Sequence, residues 1–187
     1  MAEPDNLILT AVGPDKIGLV EMISEFILSR RSNIEDSKMA VFCGEFAIIL
    51  LISGGVEELK KIAADYPELA RQSGLDIRIR SPSRKKPAEG AALYRLAASC
   101  LDHPGVVYRL SRILSGFSIN IESMETKTYP APDTGTLIFR LEAVVSVPAG
   151  VDMAVVRSRL EKAAKEEEVD IELAPAADFL RGAKGGR

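Results

Sequence analysis

The sequence predicts an α+β protein made of two successive strand-helix-strand-strand-helix-strand units. Three observations carry that prediction: an internal repeat at a spacing of 87 residues, the same order of hydrophobic patterns in each copy, and a polar stretch between the copies. Asp15, Gly18, Val20, Ser24, Asn33, Ile34 and Glu35 recur as Asp102, Gly105, Val107, Ser111, Asn120, Ile121 and Glu122, seven identities over 21 gapless positions. Leu19, Ile23, Phe26 and Ile27 become Val106, Leu110, Ile113 and Leu114, so apolar character survives where identity does not.

Leu7 to Val12 and Leu93 to Ser99 read as first strands, each ending at a short turn that contains Pro14 or Pro104. A helix follows each turn. Val20, Ile23 and Ile27, and in the second copy Val107, Leu110 and Leu114, fall at i, i+3 and i+7 and give one apolar stripe per helix, widened by Leu19, Met22 and Phe26. Second strands are expected at Asn33 to Val41 and Ile119 to Thr128, and third strands at Gly44 to Ser53 and Gly135 to Val147. The second hairpin carries six extra residues, Tyr129 to Thr134, read as a rigid proline-bearing loop. Second helices near Val56 to Gln72 and Val151 to Glu167 lead to fourth strands at Leu75 to Arg80 and Val169 to Leu173.

Four antiparallel strands with both helices on one face is the ferredoxin-like arrangement. The expected boundaries are residues 1–80 for the first unit, 81–90 for a linker, 91–175 for the second unit and 176–187 for a flexible tail. The linker's Arg84, Lys85 and Lys86 read as a solvated hinge. Units of about 80 residues bury only about two-thirds of their unfolded surface, so contact between copies is expected to add stability. The third strands differ. Leu137, Phe139 and Leu141 alternate with Ile138, Arg140 and Glu142, the pattern of a half-wet sheet, whereas Phe46 to Ile52 has no polar residue and is expected to bury both its faces under a neighbour.

Composition excludes several functions. With 24 basic and 27 acidic residues the net charge is −3, a balance without the concentrated basic face that nucleic acid demands. Cys43 and Cys100 form no CxxC pair, and the single His103 cannot build a multi-histidine metal site. The longest apolar run, seven residues, is far short of the ~20 that span a bilayer. Met1 to Asn6 lacks a signal peptide's pattern, which points to a cytoplasmic protein with reduced thiols. No phosphate-binding loop or dinucleotide fingerprint is present, so no cofactor is expected. His103 beside Asp102 is no dyad, since adjacent side chains rarely face each other and no nucleophile is placed to meet them. Catalysis is not expected.

The first turn of each copy is the candidate site. Asp15, Lys16, Ile17, Gly18 and Asp102, His103, Pro104, Gly105 both lead from first strand to first helix. Glycine lets a backbone approach a bound group closely, and the helix start beside it offers unpaired N–H donors to a carboxylate. Asn33 and Asn120, opening the second strands, both donate and accept hydrogen bonds, as a zwitterion requires. The same residues also fit a plainer reading, in which the aspartates are helix N-caps and the glycines and asparagines only serve turns.

These turns, with the Leu19-Val20 and Val106-Val107 pairs that follow, resemble the start of ACT domains, small-molecule-sensing modules of amino-acid metabolism. The resemblance covers nearly the whole chain, and two such units without a catalytic domain resemble the glycine cleavage system transcriptional repressor group. It implies a non-catalytic regulator whose pockets hold a small amino acid, such as glycine or serine, where the first turn of one unit faces a neighbouring unit or subunit. The residues matching such pockets are Asp15, Lys16, Ile17, Gly18 and Asn33, and Asp102, His103, Pro104, Gly105 and Asn120. It further implies a homodimer and a protein partner such as a transcription factor, contacted as protein and not through DNA. The first turn departs from the usual form at Lys16 and Ile17, and Ile17 is expected to pack inward, so one copy could bind while the other only dimerises. A structural module that assembles without any metabolite is the rival reading, and RNA binding is disfavoured by the few sheet aromatics.

Overall fold

The computed structural model describes residues 5–82 and 90–176; the core of the expected linker, with its basic cluster, and the expected tail beyond 176 lie outside the described residues. The chain divides into two compact units, 1–85 and 86–187. In the first, β1 (Asp5–Pro14), α1 (Leu19–Leu28), β2 (Asn33–Phe42), β3 (Glu45–Gly54), α2 (Val56–Ser73) and β4 (Asp76–Arg80) follow one another. The second repeats the order with β5 (Ala92–Leu101), α3 (Val106–Gly116), β6 (Asn120–Pro130), β7 (Leu137–Val147), α4 (Met153–Glu167) and β8 (Asp170–Pro175). Each sheet is antiparallel, in the orders β2-β3-β1-β4 and β6-β7-β5-β8, which is the ferredoxin-like topology in both units.

The first core forms between one sheet face and the helices. Leu7, Leu9 and Ala11 of β1 and Phe46, Ile48, Leu50 and Ile52 of β3 alternate inward and meet Leu19, Ile23 and Ile27 of α1 and Leu59, Ile62 and Leu69 of α2. In the second unit Leu96, Ala98 and Cys100 with Leu141, Ala143, Val145 and Val147 face Val106, Leu110 and Leu114 of α3 and Val156 and Leu160 of α4. Burial pushes the Cys100 thiol up, with Asp102 adding to the effect, so this sulfur is a small apolar filler.

Three expectations need correction. The helix stripes begin one residue earlier than their periodicity suggested: Leu19 and Val106 are buried while Val20 is 47% exposed. α1 is apolar on nearly every side, and only docking decides which face turns inward. The insertion Tyr129 to Thr134 is partly strand, since Tyr129 pairs with Ile138 and Pro130 with Leu137, and the turn proper starts at Ala131. α4 starts at Met153, not Val151, because Asp152 caps it by accepting from the Ala154 N–H at 2.9 Å. Within the first unit, the helices cover one face of β3. Ile49 on the helix-free face is 44% exposed, with Ala47 and Leu51 partly so. The second sheet's helix-free face carries Arg95, Arg140 and Glu142, with Glu142 paired to both arginines at 3.2 and 2.5 Å.

Candidate functional site

Each candidate turn is held by its neighbouring hairpin. The Asp15 N–H donates to the Gly44 carbonyl at 2.8 Å, and the Asp102 N–H to the Leu137 carbonyl at 2.9 Å, so both turns sit against the end of the second hairpin strand. Gly18 and Gly105 then occupy the N-cap positions of α1 and α3 with φ of 92° and 104°, a region that side chains with a Cβ rarely adopt. The next residues, Leu19 and Val106, plunge into the core and fix each helix start in place.

No side chain caps either helix. The plainer reading of Asp15 and Asp102 as N-caps is therefore corrected. The first intrahelical bonds are those of the Met22 N–H to the Gly18 carbonyl at 2.9 Å and the Arg109 N–H to the Gly105 carbonyl at 3.0 Å, which leaves the earlier N–H groups of each helix without i−4 partners. All four residues of the first turn are exposed, and Ile17 is among them, fully exposed instead of packed inward. A side chain added at Gly18 would meet nothing within 4 Å, so this corner is open and not plugged.

The two corners differ in their surroundings. Lys16 extends its Nζ towards Gly74, just beyond the C-terminal end of α2. At the matching place His103 sets Nε2 3.3 Å from the Glu167 carbonyl, at the end of α4. A cation or N–H donor suits a helix C-terminus, where carbonyl groups lack partners. Arg109 additionally leans over the second corner. Its Nε lies 3.6 Å from where a Cβ on Gly105 would stand, and its guanidinium pairs with Glu167. The first corner has Met22 at that position and therefore no such cation.

Asn33 and Asn120 take part in a different arrangement, reproduced in both units. The Asn33 amide donates to Glu35 Oε1 at 3.1 Å, and the Ser53 hydroxyl donates to the same oxygen at 2.5 Å. In the second unit Asn120 donates to Glu122 at 2.9 Å and Ser146 to it at 2.5 Å. A register shift between Ile34 and Asp36, repeated between Ile121 and Ser123, inserts each glutamate as an extra residue in its edge strand. The serine hydroxyl first and the asparagine amide second hold the Glu35 and Glu122 carboxyls below the usual carboxylate range. The repeat places the Asn-x-Glu segment at a spacing of 87, but Ser53 and Ser146 are 93 apart because the six-residue insertion intervenes. Sequence reasoning missed the glutamates and serines, whose pairing across strands only the register shows.

The structure does not bring turn and asparagine together within a unit. Asn33 lies opposite Ser53, which lies opposite Asn6 near the start of β1, while the turn follows Pro14 at the other end. Eight residues of strand separate these rows, about 27 Å. In the second unit Asn120, Ser146 and Leu93 form one row, and Leu101 with Ile138 mark the far end. Within one unit, turn and asparagine therefore do not line a common pocket.

Both ferredoxin-like units thus carry a glycine corner that opens the first helix. Residues 5–80 match the family model described as the ACT domain. The chain is 28% identical over 151 residues to the glycine cleavage system transcriptional repressor of Escherichia coli (strain K12), covering 79% of this chain and 78% of that one. A protein of unknown function from Galdieria sulphuraria superposes with a TM-score of 0.77 at 28% identity, over 92% of this chain and 99% of its own. The structure of a candidate glycine cleavage system transcriptional repressor gives 0.66 at 20% identity, covering 92% and 97%. The protein thus resembles that repressor group, and its two units share the group's fold. No helix among the described residues is long and apolar enough to cross a membrane.

Proposed function

We propose that the protein is a non-catalytic, cytoplasmic regulator that binds a small amino acid such as glycine or serine at its duplicated corners and signals by contact with a protein partner. Residues 1–80 and 91–175 serve as its two sensing domains. The observation that carries this reading is the glycine corner itself. It pairs a positive-φ residue with an uncapped helix start, and both units keep it. An α-carboxylate is the group such a corner accepts, since N–H donors and the helix dipole favour negative charge there. At the second corner Arg109 would reinforce that preference.

Geometry also sets how a pocket would be completed. β1 and β2 both run antiparallel to β3 and are thus parallel to each other, which separates turn and asparagine by a sheet's length. Two units set side by side in opposite directions would lay the turn of one near the Asn33 or Asn120 end of the other. The asparagine, already donating to its glutamate, would present its amide oxygen to an ammonium group. This arrangement favours a homodimer or pairing of units as part of the binding function. A role in transcriptional control of glycine metabolism follows from likeness to the repressor, and the partner would be a transcription factor.

Thermal scans of the full chain with a panel of amino acids test the reading. A ligand at a hundred times its dissociation constant stabilises by ~2.7 kcal/mol. No shift with any amino acid, glycine and serine included, would favour a module that only assembles.

A further inference from the structure

Beside the second corner, and sharing Arg109 and Glu167 with it, an open cleft of about 590 Å³ runs between α3 and α4 in the second unit. Arg109, Arg112, Arg159 and Lys162 line it, with Glu166 and Glu167 as the acids. Arg109 pairs with Glu167, and Lys162 stands 3.7 Å from Glu166. Arg112 and Arg159 have no acidic partner among the described residues, and both are exposed. Ile113 and Phe117, each half-buried, supply an apolar floor.

The first unit offers an internal comparison. α1 and α3 correspond at a spacing of 87. α2 and α4 correspond at 94, a register that matches Ile62 with Val156, Leu69 with Ala163 and Asp76 with Asp170. In that register Arg112, Arg159 and Lys162 stand where the first unit has Glu25, Asp65 and Glu68. Phe117 stands where the first unit has Arg30, and there Arg30 fills the groove, bridging to Asp65 at 2.9 Å with its guanidinium 3.6 Å from the centre of the Phe26 ring. One fold therefore carries this groove in two forms, acidic and bridged or basic and open. Packing does not require the basic form, and like charges gathered at one place repel unless an anion joins them.

We propose that the α3/α4 cleft binds a phosphate monoester of mononucleotide size, with Arg112 and Arg159 gripping the phosphate and Phe117 supporting a flat apolar group. Guanidinium forks match phosphate oxygens in a bidentate fashion, and a cleft of this volume lies within the range of small-molecule sites. From Arg109 to Phe117 the helix advances about 12 Å, a nucleotide's length and too short a basic track for a polymer on a chain of net charge −3. The inference rests on Arg112 and Arg159, which the amino-acid reading does not use, although the cleft shares Arg109 with the second corner.

Calorimetric titration of the full chain with AMP at low ionic strength tests it, alongside inorganic phosphate, adenosine and a 20-base-pair DNA duplex. AMP should bind one per chain, phosphate more weakly, and adenosine not measurably. The double variant Arg112→Glu, Arg159→Asp gives the second unit the acids of the first and should weaken AMP at least about tenfold with an unchanged circular dichroism spectrum. Should that variant unfold, Arg112→Gln, Arg159→Gln serves in its place with the same expectation. Phe117→Ala should weaken AMP more than phosphate. Absence of AMP binding, AMP affinity that survives both double variants, or a duplex that binds more tightly than AMP would each overturn the proposal.

Discussion

Gly105 separates the conformational role of the corner from its binding role. Its φ of 104° imposes a cost on any residue with a Cβ, while the space beyond is open enough that such a Cβ would meet only Arg109 Nε, at 3.6 Å. Backbone strain of this kind costs about 1–2 kcal/mol, whatever side chain is added. In a unit of this size each kcal/mol lowers the melting temperature by about 4–8 °C. Gly105→Ala and Gly105→Leu should therefore be destabilised alike, within about 0.5 kcal/mol of each other. Their ligand responses should differ. The leucine stands over the N-terminus of α3 and should abolish stabilisation by glycine or serine at the second corner, whereas the alanine should only reduce it. Thermal scans of both variants with increasing amino acid supply both numbers. A leucine variant with undiminished ligand response would move the site elsewhere, and one that costs no stability would refute the reasoning from φ.

Ser53→Ala and Ser146→Ala should return the Glu35 and Glu122 carboxyls toward ordinary values, read by carboxyl carbon NMR during an acid titration; unchanged titration curves would contradict the assigned bonds. Because both carboxyls titrate low in the folded state, whatever stability the two networks give is present above the ordinary carboxylate pKa and is lost as pH falls below about 4; the serine variants should lack that acid-side loss in urea melts. Ile62→Ala, at a position with no exposure in the centre of the first core, should cost about 2–5 kcal/mol in chemical denaturation, and a loss under 1 kcal/mol would mean the helix layer is not packed as described. Ile49→Thr on the helix-free face should change stability by no more than about 0.5 kcal/mol, while a larger loss would mean that this face is covered in solution.

Sequence patterns made the architecture legible because the chain states it twice. Asp15 to Glu35 and Asp102 to Glu122 align without a gap, and a repeated order of strand and helix signals leaves few topologies open. Finer placement failed where several residues competed for one role. In α1, Leu19, Val20, Met22, Ile23, Phe26, Ile27 and Leu28 are all apolar, so periodicity could not decide that Val20 faces water. In β3 an unbroken apolar run does not show which face meets the helices, and only the strand register decides it. The candidate turns are where the sequence placed them, at the starts of α1 and α3. Their relation to Asn33 and Asn120 was beyond its reach, because strand direction and not spacing puts those residues at opposite ends of each sheet. The neighbours of the turns were equally hidden. Lys16 and His103 meet helix ends 58 and 64 residues further along, and Arg109 turns back to the second corner from the first turn of α3.

The most direct test follows backbone and side-chain amide resonances of the isotope-labelled full chain as glycine or serine is added. Amides of Gly18 to Val20 or Gly105 to Val107 should shift together with the side-chain amide of Asn33 or Asn120, with a common saturation curve, because a ligand held between neighbouring units touches both ends. Saturating amino acid that leaves all these resonances in place, or moves only groups remote from both corners, would contradict the account.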